Sequence, residues 1–422
     1  MRDLKWTKNA NIYEVNVRQY TKEGTFDAFR KHLPRLKEMG IDIIWLMPVF
    51  PVGEKNRKGS LGSYYAVKDY YGINPEFGNK DDFRKVVEEA HDLGMKVLLD
   101  WVANHTAWDN VWTKEHTDYY KKNEKGELLS PFDWSDVIAL DYNNPKLRKA
   151  MTDALKYWVK EFDVDGYRCD VAGLVPTDFW EKTRVELDKI KPVFMLAEDD
   201  EKPELLNKAF DMNYSWKIHH LMNDIAQGKK RAAEIWNYYD EDRKIYTPDK
   251  YRMIFTCNHD ENSWNGTVKE RMGNRPGETF AVFTFVAPGF PLIYNGQEAA
   301  LDKRLKFFDK DFIDWSNLKN EPFYAGLTDL KHENRALWNG IDGGEMIPLS
   351  KGINDDVFAF YRQKDNNTVL VLMNLSNRIQ NFNLENHQLA GEYINFQNGH
   401  SFHFSGNRMW HLAPWEYLIL TK

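Results

Sequence analysis

The hydrophobic positions of this chain recur in a fixed order: an apolar strand, a loop, an amphipathic helix, a glycine and the next strand. Residues 11–17 (NIYEVNV) are predicted to form the first strand, and the apolar residues that follow recur at helical spacing up to Gly40, where glycine ends a helix. Pro34 is expected to break or kink this helix. Residues 41–47 (IDIIWLM) form a nearly continuous apolar run, which is typical of a parallel strand covered on both faces. The pattern predicts successive βα units.

The same unit repeats along the chain to about residue 340. A helix capped by Asp81 or Asp82 precedes a strand at residues 95–99, and a helix that begins at Asn144 and Pro145 leads into residues 165–173 (DGYRCDVAG), a short strand followed by a loop. The remaining strands are predicted at residues 193–197, 209–212, 252–256 and 291–294. Eight strands alternating with helices fit a closed (β/α)8 TIM barrel, an α/β fold, better than an open sheet.

Two regions depart from this repeat. Residues 107–141 show no sustained periodicity, so we expect a long loop or a small inserted subdomain after the third strand, spanning residues 106–143. After Gly340, short strand-like runs separated by Asn, Asp and Gly turns predict an all-β sandwich. A chain of 422 residues exceeds the size at which a single core stops growing. We therefore expect a catalytic barrel domain of residues 1–340 and a C-terminal β-domain of residues 341–422.

Composition excludes several classes of protein. A hydrophobic content of 42% and a charged content of 29% are typical of a soluble globular protein, and no apolar run is long enough to span a membrane. The net charge of -7 argues against a nucleic-acid partner, and two cysteines make neither a disulfide framework nor a zinc site. The first residues show no apolar signal segment, so we expect a cytoplasmic protein if the chain is complete, and a secreted or periplasmic one if a signal peptide has been removed.

The stretch 165–173 brings charge into a buried strand. Because side chains alternate along a strand, Arg168 and Asp170 are predicted to share one face, with Tyr167 and Cys169 on the other. A buried carboxylate is costly without a partner, and an arginine on the same face would keep it ionised and orient it. This arrangement suits a nucleophile, although a structural ion pair would give the same pattern.

Polar residues collect where the predicted strands end, which is where barrel enzymes have their active sites. Strand by strand, these residues are Asp100, Asn104 and His105; Arg168 and Asp170; Glu198; Asn258, His259 and Asp260; and Asn295, Gln297 and Glu298. Any one of them alone would be an ordinary hydrogen-bonded residue at a barrel mouth. Together they form a carboxylate-dominated set without a cysteine ligand, suited to the hydrolysis of an acetal such as a glycosidic bond.

Four segments resemble, in order and approximate spacing, the four motifs of the α-amylase superfamily, glycoside hydrolase family 13. The segments are Asp100-Trp-Val-Ala-Asn104-His105, Gly166-Tyr-Arg168-Cys-Asp170-Val-Ala-Gly173, Ala197-Glu198-Asp199-Asp200 and Asn258-His259-Asp260. Residues 62–71 and 75–78 are similar to the family's segment after the second strand. The resemblance spans the barrel and extends to the C-terminal β-domain. It implies a retaining hydrolase of α-1,4-glucosidic bonds in starch, maltodextrins or maltooligosaccharides.

The resemblance also implies roles for individual residues. Asp170 would be the nucleophile, Glu198 the general acid/base, and Asp260 the third carboxylate, which stabilises the transition state. Arg168 would orient Asp170, and Tyr65 would stack beneath the sugar. The substrate-binding residues that the resemblance implies are Tyr65, Asp100, His105, Arg168 and His259.

The resemblance leaves the metal content open. Many secreted members continue the second motif as Lys-His and hold a calcium ion there, whereas this chain has Gly173 and Leu174 and a short insertion. Asn104, together with Asp136 or Asp141, supplies candidate oxygen ligands, so a structural Ca²⁺ is one alternative and its absence the other.

The reaction and the assembly are open as well. A 4-α-glucanotransferase or a trehalose-synthase-like transglycosylase would share every catalytic residue. A catalytically inactive glucan-binding barrel is a further alternative, against which the intact Asp170, Glu198 and Asp260 count. We expect a monomer or a homodimer with an α-glucan substrate as its partner.

Overall fold

The computed structural model describes residues 4–422, and the first three residues, included in the search for a signal segment, lie outside this range. Eight parallel strands form a closed barrel and neighbour one another in chain order, which confirms the predicted TIM barrel. These strands are Ile12–Val15, Ile43–Leu46, Lys96–Val102, Gly166–Asp170, Phe194–Ala197, Met212–Tyr214, Tyr251–Phe255 and Phe290–Tyr294. The sixth strand begins at Met212 rather than at Ala209, where it was predicted.

Helices follow the strands as the βα pattern predicts. The α-helices are Val17–Tyr20, Phe26–Arg30, Leu33–Glu38, Lys80–Asp92, Trp112–Glu115, Pro145–Phe162, Thr177–Asp188, Leu205–Lys208, Trp216–Ala226, Ala233–Ile245, Val268–Met272, Asn274–Val286 and Glu321–Glu333. One π-helical turn covers Glu261–Asn265. Short 3-10 turns cover Lys5–Thr7, Thr117–Tyr119, Ala172–Leu174, Arg335–Leu337, Gly340–Asp342 and His387–Leu389.

Two local sequence signals act as predicted. Asn144 caps the helix Pro145–Phe162, its side-chain oxygen accepting a hydrogen bond from a backbone N–H of the first turn. Pro34 lies in the first turn of Leu33–Glu38, where a missing N–H costs nothing, so the chain forms this helix and Phe26–Arg30 instead of one long helix.

A third signal was misjudged. The prediction that Asp81 or Asp82 caps the following helix is wrong, because Asn79 caps Lys80–Asp92. The Asp82 side chain instead accepts a hydrogen bond from the N–H of Asn79, and the two residues complete a capping box.

The predicted insertion after the third barrel strand begins and ends with a small antiparallel pair. His105–Ala107 pairs with Val137–Ala139, and the helix Trp112–Glu115 lies between them in the chain. Trp134 packs on a small apolar core made by Val52, Ala66, Ala107 and Val137.

The C-terminal region forms two antiparallel sheets, which confirms the predicted β-sandwich. The larger sheet contains, in spatial order, Glu345–Pro348, Val357–Lys364, Asn367–Asn374, Tyr417–Thr421, Gly391–Asn395 and Ser401–Phe404, and the smaller contains Gln380–Glu385 and Asn407–Leu412. Apolar side chains from both sheets share one core; Phe382 and Trp410 contribute from the smaller, and Leu370 and Leu420 from the larger.

By internal contacts the chain divides into two compact units. The first contains Ile12–Tyr214 and Tyr294–Asn320; the second contains Lys5–Asn11, Ser215–Ile293 and Glu321–Lys422. This division does not follow the predicted domain boundaries, which stay a prediction. Within residues 4–422, no helix is both long enough and apolar enough to cross a membrane.

Candidate active site

Arg168 is the centre of a buried group of charged side chains in the first unit. It lies on the fourth barrel strand and is fully buried. One terminal nitrogen donates to Asp100 Oδ1 at 2.9 Å and to Asp170 Oδ1 at 3.1 Å, while the other lies 2.7 Å from Glu198 Oε2. The structure thus brings together four predicted site residues from the ends of three neighbouring strands.

The electrostatics of this group favour a charged arginine. Burial opposes the charge on Arg168, but the carboxylates of Asp100 and Glu198 outweigh it and raise the pKa of the guanidinium well above its usual value. One guanidinium faces three carboxyl groups, so the group would carry excess negative charge if all three were ionised.

Asp100 holds the opposite side of Arg168 in place. Its Oδ2 accepts hydrogen bonds from the Tyr65 hydroxyl at 3.1 Å and from Trp45 Nε1 at 3.2 Å. Asp100 is fully buried, and these described contacts are all with protein groups, so its predicted contact with substrate stays a prediction. Sequence reasoning missed Trp45, because an aromatic residue in an apolar strand resembles any other core residue.

The backbone after Asp170 reaches Glu198 directly. The N–H of Val171 donates to Glu198 Oε2 at 2.8 Å. Val171 has φ 36° and ψ 48°, a left-handed conformation that is rare for a β-branched residue. Such strain persists where the surroundings enforce it, and it is common at active sites. No pattern in the sequence pointed to this role of Val171.

His105 lies at the start of the inserted hairpin. Its Nδ1 is 3.2 Å from the amide nitrogen of Asn104, and its ring meets that of Trp134 edge to face at 5.4 Å. Burial lowers the pKa of His105 to about 4, so the ring is neutral at neutral pH. A neutral imidazole both donates and accepts hydrogen bonds, as a residue that binds sugar hydroxyls must.

A further aromatic residue joins this region from the loop after the eighth strand. The Phe307 ring is nearly parallel to that of Tyr65, with centroids 6.2 Å apart and an angle of 13° between the rings. The same ring meets Tyr64 edge to face at 5.5 Å. Sequence reasoning missed Phe307, because 242 positions separate it from Tyr65 (307 − 65) and neither periodicity nor spacing relates them.

His259 and Asp260 belong to the second unit, where they follow the seventh barrel strand. His259 Nε2 lies 3.4 Å from Asp260 Oδ2. His259 is buried, whereas the Asp260 side chain is 35% exposed, so its carboxylate can meet a ligand.

A buried ionic network fixes the chain next to Asp260. Glu261 Oε2 lies 3.1 Å from His219 Nε2 and 3.5 Å from the Arg271 guanidinium. Burial alone would raise the pKa of Glu261, but His219 and Arg271 lower it to about 2. This network holds the π-helical turn that begins one residue after Asp260.

Comparison with known proteins identifies the family. A sequence model of the family described as "Alpha amylase, catalytic domain" matches residues 7–137 and 128–322. The chain belongs to the alpha-amylase family. It is therefore a glycoside hydrolase enzyme, as the four motifs predicted.

Individual members of the alpha-amylase family are similar over most of the chain. The crystal structure of a maltogenic alpha-amylase from Thermotoga neapolitana is 32% identical, covers 99% of both chains and has a TM-score of 0.88. An alpha-amylase structure from Lactobacillus plantarum is 30% identical with the same coverage and a TM-score of 0.87. Alpha-amylase MalA of Haloarcula japonica is 27% identical over 87% of this chain. The present chain spans 56% of that relative's length.

The candidate calcium ligands of this alpha-amylase family member make other contacts in the structure. The Asn104 amide nitrogen faces His105, and Asp141 Oδ1 accepts the backbone N–H of Asn143 at 3.1 Å. Among residues 4–422, no three His, Cys, Asp or Glu side chains are grouped to hold a metal. These contacts do not supply the roughly six to eight oxygen ligands that calcium takes. A structural Ca²⁺ stays a prediction.

The glycine that departs from the second motif has a local explanation. A Cβ atom on Gly173 would lie 2.0 Å from Asp199 Oδ2, which is far inside van der Waals contact. Burial raises the pKa of this Asp199 carboxyl group. The side chain next to Glu198 therefore fills the space that a lysine at position 173 would need.

Proposed function

We propose that this enzyme hydrolyses α-1,4-glucosidic bonds in starch, maltodextrins or maltooligosaccharides, with retention of the anomeric configuration. The observation that carries the proposal is that Arg168 binds Asp170 and Glu198 at the same time, at 3.1 and 2.7 Å. Two carboxyl groups that contact the same guanidinium lie close together, which favours a retaining mechanism. In retaining glycosidases the two catalytic carboxyl groups are about 5 to 5.5 Å apart, whereas in inverting ones they are about 6.5 to 9.5 Å apart to admit water. The maltogenic and alpha-amylase relatives support an α-glucan substrate.

In the first step, the Asp170 carboxylate attacks the anomeric carbon while Glu198 protonates the departing glycosidic oxygen. The carbon–oxygen bond to the leaving sugar breaks, and an ester bond to Asp170 forms. The described contacts of Glu198 with Val171 and Arg168 both use Oε2. Oε1 is therefore the oxygen that would hold and transfer the proton.

In the second step, Glu198 takes a proton from water as the resulting hydroxide attacks the same carbon and releases Asp170. Two inversions at one carbon give net retention. The motif resemblance assigns Asp260 to transition-state stabilisation and His259 to sugar binding. On the first unit, neutral His105 and the Tyr65–Phe307 ring pair supply hydrogen bonding and apolar surface suited to a sugar.

The test compares the wild type with Asp170→Asn on maltoheptaose, resolving product lengths and anomers over time by NMR. We expect the wild type to release short products in the α form, and the variant to lose about four orders of magnitude in kcat. Asp178→Asn is the matched control, because Asp178 is surface-exposed and pairs only with Arg148 and Lys182 in the described contacts. Products longer than the substrate would indicate a 4-α-glucanotransferase, and unchanged substrate would contradict the α-glucan assignment.

A further inference from the structure

The inserted hairpin presents an aromatic side chain to solvent. Phe132 is 71% exposed, the largest exposed fraction of any large hydrophobic residue described in residues 4–422. Exposing an aromatic ring forfeits the free energy of its burial, and exposed aromatic groups often mark binding surfaces.

The backbone at Phe132 is also unfavourable for this residue. Phe132 has φ 54°, and the N–H of Trp134 donates to the carbonyl of Pro131 at 3.1 Å, which closes a tight turn around Phe132. A positive φ at this turn position favours glycine or asparagine, and a bulky residue there is strained. Both the exposure and the strain disfavour phenylalanine, so the fold itself does not account for it.

Phe132 is connected to the candidate active site by ring contacts through Trp134. Its centroid lies 5.1 Å from that of Trp134, which in turn meets His105 at 5.4 Å. Trp134 is partly buried against the small core of the insertion, so its ring is held in place. The two rings therefore extend an apolar surface outward from His105, all within the first unit.

We propose that Phe132 and Trp134 form a platform that binds a glucosyl unit of the substrate away from the scissile bond. This inference rests on the proposed function for the position of the scissile bond beside His105. The C–H faces of a glucosyl ring are apolar and stack on aromatic rings, whereas its hydroxyl groups stay in water at an exposed site. Because the platform lies beyond His105, only substrates long enough to reach it gain from the contact. The pair thus sets the enzyme's preference for longer α-glucans.

The test uses Phe132→Asn, which removes the ring and places a residue that tolerates positive φ in the turn. We expect the KM for maltoheptaose to rise about tenfold, while kcat/KM for maltotriose stays within about twofold. We also expect the melting temperature to rise by about 2 °C as strain is released. Ile379→Asn is the matched control, since Ile379 is 67% exposed on the C-terminal domain, and both substrates should be unaffected.

Binding separates this inference from the proposed function. The dissociation constant for maltoheptaose is measured by calorimetry with Asp170→Asn and with the Asp170→Asn, Phe132→Asn double variant. Weaker binding by the double variant supports the platform even if the wild type fails to cleave maltoheptaose. Equal binding, together with normal cleavage, would contradict the platform and leave the proposed function intact. An equal loss on both substrates would also overturn it.

Discussion

Arg168 and Arg362 are both buried in this enzyme, and their surroundings differ. Arg168, in the first unit, faces the carboxyl groups of Asp100, Asp170 and Glu198. Arg362, in the second unit, donates instead to backbone carbonyls, including those of Gly344 and Trp338, both at 2.9 Å. The same buried cation is thus surrounded by ionisable groups in one place and by neutral dipoles in the other.

This difference distinguishes an arginine of the candidate active site from an arginine that stabilises the fold. Negative carboxyl groups raise the pKa of Arg168 well above its usual value, whereas burial lowers the pKa of Arg362 to about 10. Arg362 also contacts the carbonyls of Val286 and Leu337, where a helix and a 3-10 turn end and partial negative charge collects. Fixed dipoles hold a cation but exchange no protons. Of these two arginines, only Arg168 is surrounded by carboxyl groups, which can exchange protons.

Among the variants that test this comparison, the largest effect should come from replacing the arginine in the ionisable group. Arg168→Lys keeps the charge but loses the fork that binds Asp170 and Glu198 together, so we expect kcat on maltoheptaose to fall about a thousandfold. Steady-state kinetics with a circular dichroism check of folding measures this. A variant that keeps more than about a tenth of the wild-type kcat would show that a point charge suffices.

Replacing Arg362 should lower the stability of the protein and leave its catalytic rate unchanged. Arg362→Met leaves buried carbonyls without donors, so we expect the free energy of unfolding to drop by about 3 kcal/mol while kcat at 25 °C stays unchanged. Urea unfolding and assays below the transition measure the two quantities. A lowered kcat in the folded variant would remove the distinction between the two arginines.

His105 is another buried basic residue, and burial keeps its imidazole ring neutral. Its pKa falls from 6.5 to about 4 on folding. Between these values the unfolded chain binds a proton that the folded chain does not, so the free energy of unfolding should decrease as pH falls. We expect a loss of roughly 2 kcal/mol between pH 6.5 and 5 from this residue.

The measurement for His105 is urea unfolding across this pH range. His105→Gln should flatten the dependence, whereas His411→Gln, at an exposed site, should leave it as in the wild type. If His105→Gln is as acid-sensitive as the wild type, His105 is not the group that titrates.

The smallest expected effect is a loss of activity on substitution of Tyr65, at the edge of the Arg168 group. Tyr65→Phe removes the hydroxyl that donates to Asp100, and we expect kcat/KM to fall about tenfold. Tyr64→Phe is the matched control: its hydroxyl accepts a hydrogen bond from the Asn16 amide, outside the charged group, and we expect less than about a twofold change. Equal effects of the two variants would place Tyr65 outside the catalytic group.

The sequence predicted features that depend on local periodicity. The alternation along residues 166–170 placed Arg168 and Asp170 on one face, and the structure confirms their contact at 3.1 Å. The barrel and the sandwich followed from repeats of the same kind.

Features that depend on tertiary contact or on backbone dihedral angles were missed. Trp45 and Phe307 reach their partners only through the fold, and the cap at Asn79 was overlooked because two acids follow it closely. The positive φ values at Phe132 and Val171 contradict residue preference, so no sequence rule would have predicted them. Such contradictions are where function overrides local propensity.

At the turn around Val171, the main chain itself connects the two reacting groups, Asp170 and Glu198. One peptide unit carries the covalent link to Asp170 and the N–H that meets Glu198, so side-chain variation at position 171 leaves this connection in place. Proline alone among the amino acids lacks that hydrogen and fixes φ at a negative value. Proline at position 171 would therefore break this connection, whereas glycine, which adopts positive φ freely, would keep the donor while relaxing the strain.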